Sequence, residues 1–326
     1  MSRAPLPTTA DIFAAQARLR PYLAPTPLRA SAWLGERAGG TAYLKLESLN
    51  LTHSFKIRGA FNALLRLVEA HPVPARRPVV VTASAGNHGR AMACAADPLG
   101  VRVIIFTPST APRTKRDAIR RHGAELHDDT PTYDEAERAA RAYAAAHDGL
   151  FISPYNHPDV IAGAGTIGLE IVEACPDVGE VFVPLGGGGL ASGVGLALRA
   201  AAPRARVVGV EAAASTPFTT GLARGRITTI EAGPTLAEGL AGNLEPGAIT
   251  FPLVQRVVDQ VVVVSEDALR AAMRGMAAAE HLIIEGSAAV AVAAMAGGHT
   301  RSEGPAVAVV TGANIDLERL VEVLGS

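Results

Sequence analysis

At 326 residues, with 48% hydrophobic and 19% charged residues, the chain is long enough for two lobes, and burial of roughly 75% of its unfolded surface leaves its core in need of neither metal nor disulfide. Its two cysteines, Cys94 and Cys175, form no Cys-x-x-Cys pair, which argues against a disulfide framework or a cysteine zinc site and fits a reducing compartment. Thirty basic residues against 31 acidic ones leave a net charge of −1 without a Lys/Arg tract; a nucleic-acid backbone is therefore a poor partner, and small-molecule chemistry is the better expectation.

The first 20 residues break up their apolar positions with Asp11, Arg18 and Arg20, so no secretory leader is predicted. No apolar run approaches the ~20 residues of a membrane helix, and a cytoplasmic protein is expected. Further along, β-branched runs alternate with alanine-rich stretches, the pattern of an α/β fold with a largely parallel sheet. The first half predicts helices over 10–22, 58–70, 87–96, 113–122 and 133–146, with strands over 42–47, 78–83 and 101–106. The second half predicts helices over 162–174, 190–201, 266–280 and 316–324, with strands over 180–184, 205–210, 261–264 and 306–310. Several strands are continuous apolar runs, as buried parallel strands are. A proline-rich break over 72–78 and another near Ser153-Pro154 suggest a smaller lobe, 78–152, inserted into a larger one made of 1–77 and 153–326. Clefts between such lobes, at the carboxyl ends of parallel strands, are where α/β proteins bind ligands.

Four strand-end segments carry candidate chemistry. Lys56 lies in Thr52-His53-Ser54-Phe55-Lys56-Ile57-Arg58-Gly59-Ala60, where Phe55 supplies an apolar wall, Ser54 a hydroxyl, and Gly59-Ala60 let the helix pack against whatever Lys56 holds. Most lysines are solvated surface charges, but desolvation lowers an amine's pKa and readies it for Schiff-base chemistry. Ser84-Ala85-Gly86-Asn87-His88-Gly89 offers hydroxyl, amide and backbone donors at a helix start. These suit a substrate carboxylate, with Asn87 also able to reach a cofactor oxygen; an ordinary helix cap by Ser84 or Asn87 is the plain alternative.

Gly186, Gly187, Gly188 and Gly189 sit between an apolar strand and a helix, an arrangement that exposes N–H groups to a phosphate. A tight turn is the plain alternative. The spacing Gly186-x-Gly188-x-x-Ala191 with Glu211 further on also fits a dinucleotide site, although NAD leaves Lys56 and Ser84–His88 without a role. Thr311-Gly312-Ala313-Asn314 ends the last strand, where Thr311 can hydrogen-bond a heteroaromatic nitrogen. Glu211, Glu238 and Glu285 are expected to cap helices or pair lobes. The motifs of zinc hydrolysis, calcium loops, nucleophile elbows and ATP-binding loops are absent from the sequence.

Taken in order, Ser54-Phe55-Lys56-Ile57-Arg58-Gly59-Ala60, Ser84-Ala85-Gly86-Asn87-His88, Val160-Ile161-Ala162-Gly163-Ala164-Gly165-Thr166, Gly186–Gly189 and Thr311-Gly312-Ala313-Asn314 resemble the serine/threonine dehydratase family. These are fold-type II pyridoxal-phosphate enzymes that include threonine deaminases and serine racemases. The resemblance covers nearly the whole chain. It implies two lobes, each with a mainly parallel twisted sheet flanked by helices, and pyridoxal 5'-phosphate as cofactor. By the same resemblance Lys56 carries the cofactor as a Schiff base and takes the Cα proton, and Phe55, Asn87, Gly186–Gly189, Gly239 and Thr311 surround the cofactor. Ser84, Ala85, Gly86, Asn87 and His88 receive the substrate carboxylate, with Ser54 and His53 beside it.

The implied activity is α,β-elimination of a β-hydroxy-α-amino acid, of serine or threonine type or possessing the 3-hydroxyaspartate or phenylserine skeleton, to a 2-oxo acid and ammonia. A homodimer is the family expectation, and no added regulatory domain is expected because the chain ends soon after the Thr311 segment. An amino-acid racemase, a β-replacement synthase and an idle amino-acid-binding protein remain alternatives. Ala85 stands where serine racemases carry a hydroxyl, and His88 and Ile57 differ from cysteine synthases. Pro217 falls where an acidic cation ligand often lies beside the Glu211 position, so no metal is expected. The segment Gly163-Ala164-Gly165 lacks the family's usual glutamine. His53 replaces a usual glycine and is open to two readings, a contact with the substrate's β-substituent or a surface histidine.

Overall fold

Two sheets organise the computed structural model, which describes residues 5–84, 86–111 and 113–325. In chain order the strands are β1 (Leu28–Ala30), β2 (Ala42–Leu46), β3 (Val80–Ala83), β4 (Val103–Pro108), β5 (Glu125–Thr130), β6 (Leu150–Phe151), β7 (Glu180–Pro184), β8 (Arg206–Ala212), β9 (Gln260–Val264) and β10 (Ala306–Val310). The larger sheet runs β1-β2-β10-β7-β8-β9 and the smaller β5-β4-β3-β6. Apart from the antiparallel β1–β2 pair, neighbouring strands are parallel.

The helices are α1 (Thr9–Leu19), α2 (Ala32–Ala38), α3 (Lys56–Ala70), α4 (Asn87–Ala96), α5 (Arg113–Arg120), α6 (Tyr133–Ala146), α7 (Pro158–Ala174), α8 (Gly189–Ala201), α9 (Pro217–Ala223), α10 (Thr250–Val257), α11 (Glu266–Ala279), α12 (Gly286–Ala296) and α13 (Leu317–Gly325). None among the described residues is long and apolar enough to cross a membrane.

Continuous apolar runs become central strands. Every residue of β3, β4, β7 and β10 is buried, as expected of strands covered on both faces. The larger core collects β2, β8, β10, α11 and α12 around Phe182, Met273 and Met295. The smaller sheet has one core around Ile105, shared with α1, α3 and the start of α7, and another around Phe106 against α6.

Some elements escape sequence patterning. Strand β5 (ELHDDT) is a polar edge strand, and β6 is only two residues long. Helix α12 is buried on all sides from Gly286 to Met295, so it lacks the amphipathic period that announces a surface helix. Helices α2, α9 and α10 are only seven or eight residues long. The helix predicted from residue 58 begins at Lys56 itself, so the candidate lysine belongs to a rigid first turn.

Candidate active site

Parallel registry brings the carboxyl ends of β2, β10 and β7 side by side. The chain leaving β2 reaches Lys56 through a bridge between Ser54 and Gly312, and the Phe55 N–H donates to the Thr311 carbonyl across 3.0 Å. Lys56 and the Thr311 segment are thereby tied together. Thr311 is buried, as are Ser54 and Ser84.

Lys56 Nζ donates to the Pro154 carbonyl at 2.9 Å and lies 5.0 Å from the Phe55 ring centroid. Burial pulls its pKa down to about 8, and the carboxylate of Glu285 opposes that shift. Next along the chain from Pro154, Tyr155 packs its ring against the glycine loop; a Cβ on Gly187 would come within 2.3 Å of it. Gly186 presses on Leu240, and Gly188, at φ 85°, on Phe218 and Thr250. Those neighbours exclude side chains from the loop. The N–H groups of Gly186, Gly187, Gly188 and Gly189 have no acceptor among the described residues, at the very start of α8. Four orphaned donors at the positive end of a helix form a cradle for an anion.

Gly239 joins this side of the site through a 2.9 Å bond from its N–H to Ser287 Oγ. A second set of backbone donors stands at the start of α4. Contrary to the cap by Ser84 or Asn87, the N-cap is Gly86 and makes no side-chain capping bond. Ser84 Oγ accepts only the Gly86 N–H, at 3.2 Å. The N–H groups of Asn87, His88 and Gly89 have no acceptor among the described residues. His88 is 2% exposed, and neither ring nitrogen has a hydrogen-bond partner among those residues. Burial first, and the nearby Lys56 amine second, hold its pKa well below the usual value. The Ile152 carbonyl opposes this weakly, since it misses hydrogen-bond geometry. Ala85 lies outside the described residues.

Two functional residues carried no chemistry at the level of sequence. Glu285 Oε1 accepts from Asn87 Nδ2 at 2.7 Å, and burial pushes the carboxyl up to about 7. Asn314 Nδ2 donates to Asn87 Oδ1 at 2.7 Å. The lobe-pairing expectation for Glu285 described the contact but missed its place beside Lys56; an acidic residue opening a long apolar run was the available signal. Glu238 pairs with Lys115 at 2.8 Å. Glu211 is fully buried, and its carboxylate accepts from Phe218 N, Thr219 N and Thr219 Oγ1 at 2.7, 2.9 and 2.5 Å, capping α9. Turned that way, it offers nothing to a ribose, which removes the support for the dinucleotide reading.

Two further expectations change. Gly59 does not face a ligand: its missing Cβ would sit 2.9 Å from Val160 on α7. His53 is exposed, its ring makes no hydrogen bond among the described residues, and its backbone is left-handed at φ 55°, which accounts for a glycine preference there.

Beneath Lys56, Arg58 is clamped by two buried carboxylates. Its guanidinium donates to Glu47 Oε1 and Oε2 at 2.8 Å each, and to Glu170 Oε1 and Oε2 at 2.5 and 2.8 Å. Lys45 Nζ completes a neutral quartet, donating to Glu170 at 2.5 Å.

Residues 19–312 match the family described as pyridoxal-phosphate dependent enzyme. The chain is 39% identical over 317 residues to the L-threonine ammonia-lyase of Thermotoga maritima, spanning 97% of this chain and 78% of that one. It is 36% identical over 320 residues to the catabolic L-threonine dehydratase of Escherichia coli, spanning 97% and 95%. Maize serine racemase superposes with a TM-score of 0.90 at 30% identity, over 98% of each chain.

Proposed function

The chain belongs to the pyridoxal-phosphate dependent enzyme family, with the fold-type II architecture, and from that premise we propose that it is a dehydratase converting a β-hydroxy-α-amino acid of the serine/threonine type to a 2-oxo acid and ammonia. The observation that carries this reading is the pairing of Lys56, whose pKa falls to about 8, with the orphaned N–H groups of Gly186 to Gly189. The residues fit the cofactor: an amine poised to condense with an aldehyde and, across the Tyr155 packing, a side-chain-free anion cradle. The threonine ammonia-lyase and dehydratase relatives support elimination as the chemistry.

In this reading the 186–189 loop holds the phosphate, Asn87 Nδ2 the ring hydroxyl and Thr311 the pyridine nitrogen, while Phe55 and Gly239 line the ring. When bound, pyridoxal phosphate supplies an electron sink for the pair left at Cα. A neutral hydroxyl at Thr311 moderates that sink by disfavouring a charged ring nitrogen, which suits elimination. The first turn of α4, with Ser84 and Gly86 beside it, binds and orients the substrate carboxylate. Lys56 Nζ would accept the Cα proton. Carrying that proton, it is placed to donate to the departing β-hydroxyl, which leaves as water. Glu285 holds Asn87 in place from the far side.

The same reading takes residues 78–152 as an inserted lobe, a division the separate sheet over 80–151 supports, and takes the enzyme as a cytoplasmic homodimer. Incubation with serine, threonine, 3-hydroxyaspartate and phenylserine, scored for ammonia and 2-oxo acid, tests the activity. Product from at least one of them, abolished in Lys56→Ala, is expected; none from any of them would overturn it. The likeness to maize serine racemase sustains racemisation as a second reading, read out as D-isomer formation without ammonia.

A further inference from the structure

Asn87 has two chemically different ends, and only one of them can donate. Which end faces the cleft is decided by neighbours that have no choice of their own. Arg90 Nη1 donates to Asn314 Oδ1 at 2.6 Å, and a guanidinium can only donate. Asn314 Nδ2 must then face the other way. It donates to the Thr52 carbonyl at 2.9 Å, an acceptor by nature, and to Asn87 Oδ1 at 2.7 Å. With its oxygen engaged, Asn87 is left presenting Nδ2, which meets Glu285 Oε1 at 2.7 Å. Nδ2 carries two hydrogens, so the second remains for a ligand oxygen.

We propose that Arg90 and Asn314 are positioning residues that set the polarity of the Asn87 amide, fixing it as a donor toward the cleft. Arg90 has no carboxylate partner among the described residues, and the acceptor its guanidinium meets there is the Asn314 side-chain oxygen. A neutral glutamine could rotate its amide and let both asparagines invert; an arginine cannot. The relay also spans the fold, since Arg90 and Asn87 lie on α4 whereas Asn314 follows β10 and Glu285 precedes α12.

This inference rests on the reading that the cleft holds pyridoxal phosphate with Asn87 toward its ring hydroxyl. Three variants test it, each loaded with cofactor: Arg90→Met removes the fixed donor, Arg90→Lys keeps one, and Asn314→Asp replaces the donor that holds Asn87 Oδ1 with an acceptor, so that the amide loses its fixed orientation. The readouts are the bound cofactor's absorption band, the kcat and KM values, cofactor content and melting temperature. We expect Arg90→Met and Asn314→Asp to move absorbance from the visible band toward the near ultraviolet. Their kcat falls by about 10- to 100-fold, the effect of one lost or misplaced hydrogen bond near the reacting centre, with KM changing by less than about threefold. Arg90→Lys restores both. An unshifted band and unchanged kcat in Arg90→Met overturn the proposal, as does a loss that tracks melting temperature alone and is not repaired by lysine. If Asn314→Asp does not fold, the two Arg90 variants decide by themselves. A wild-type protein that takes up no cofactor overturns the cofactor reading as well, whereas a normal wild-type band unaffected by Arg90→Met overturns this inference alone.

Discussion

Gly163 of α7 stands directly against Gly59 of α3: a Cβ on Gly163 would lie 2.8 Å from the Gly59 Cα and 2.5 Å from the Arg58 carbonyl oxygen. Neither contact can be relieved by rotating a side chain, because both are with backbone. Replacing glycine inside a helix by alanine ordinarily gains up to about 1 kcal/mol. Overpacking costs about 1–3 kcal/mol, and at 2.5 Å from a backbone oxygen the steric term wins. Gly163→Ala is expected to destabilise the protein by a net ~1–2 kcal/mol and, since Lys56 starts α3, to weaken cofactor retention as well. A melting temperature equal to wild type, measured by calorimetry, would show that the helices do not meet at this spacing.

Arg58 sits two residues from Lys56 with its charge shared between Glu47 and Glu170. Burial raises, and the guanidinium lowers, the Glu47 pKa, with the guanidinium and the other partners prevailing. Arg58→Met leaves two buried carboxylates with only Lys45 between them. Breaking a buried pair from one side costs about 3–5 kcal/mol, a loss to be read as a lower urea midpoint. Arg58→Lys should recover little, because one ammonium cannot span two carboxylates as a fork does. A midpoint within error of wild type for Arg58→Met would remove this quartet as the anchor of the Lys56 turn.

Strand ends and glycine loops were legible because their signals are local. An apolar run such as Val181-Phe182-Val183 followed by four glycines states both a buried strand and a side-chain-free turn. Lys56, Asn87 and Thr311 stand out in the sequence for the same reason, each lying at or just beyond such an element. What could not be read were relationships between distant segments. Glu285 reaches Asn87 across 198 positions, and Arg90 reaches Asn314 across 224. Helix α12 and strand β5 failed in opposite ways, one apolar on every side and the other polar along an edge. Gly59 was read as ligand-facing because nothing in its own segment reports Val160.

The Lys56 amine gives a pH signature in the cofactor-free protein. With a pKa of about 8 instead of 10.5, about a quarter of the amine is neutral at pH 7.5, against about a thousandth for an ordinary lysine. Only the neutral form attacks an aldehyde. Lowering the pH below about 8 therefore slows reconstitution roughly tenfold per unit, and raising it above about 8 brings the rate to a plateau. Stopped-flow absorbance after mixing apoprotein with pyridoxal phosphate, buffered from pH 6 to 10, should show that plateau. A rate still climbing through pH 10 would mean that the amine is solvated and not buried.

His53 couples a side-chain question to a backbone one. At φ 55° a non-glycine residue is held at a cost of about 1 kcal/mol, so His53→Gly is expected to relieve local strain whatever the imidazole does. Kinetics of that variant alone would confound the two effects. His53→Asn separates them, because asparagine tolerates left-handed backbone while the ring is gone. If the imidazole contacts the substrate's β-substituent, His53→Asn and His53→Gly shift kcat/KM ratios among serine, threonine, 3-hydroxyaspartate and phenylserine in the same direction, by about threefold or more, in line with a hydrogen bond of about 1 kcal/mol. If only the backbone matters, the ratios stay fixed in both variants and His53→Gly alone changes in melting temperature. The exposed ring, without a hydrogen bond among the described residues, is free to make the first contact, and the ratio for 3-hydroxyaspartate, whose second carboxylate can accept from an imidazole N–H, is the one expected to fall furthest.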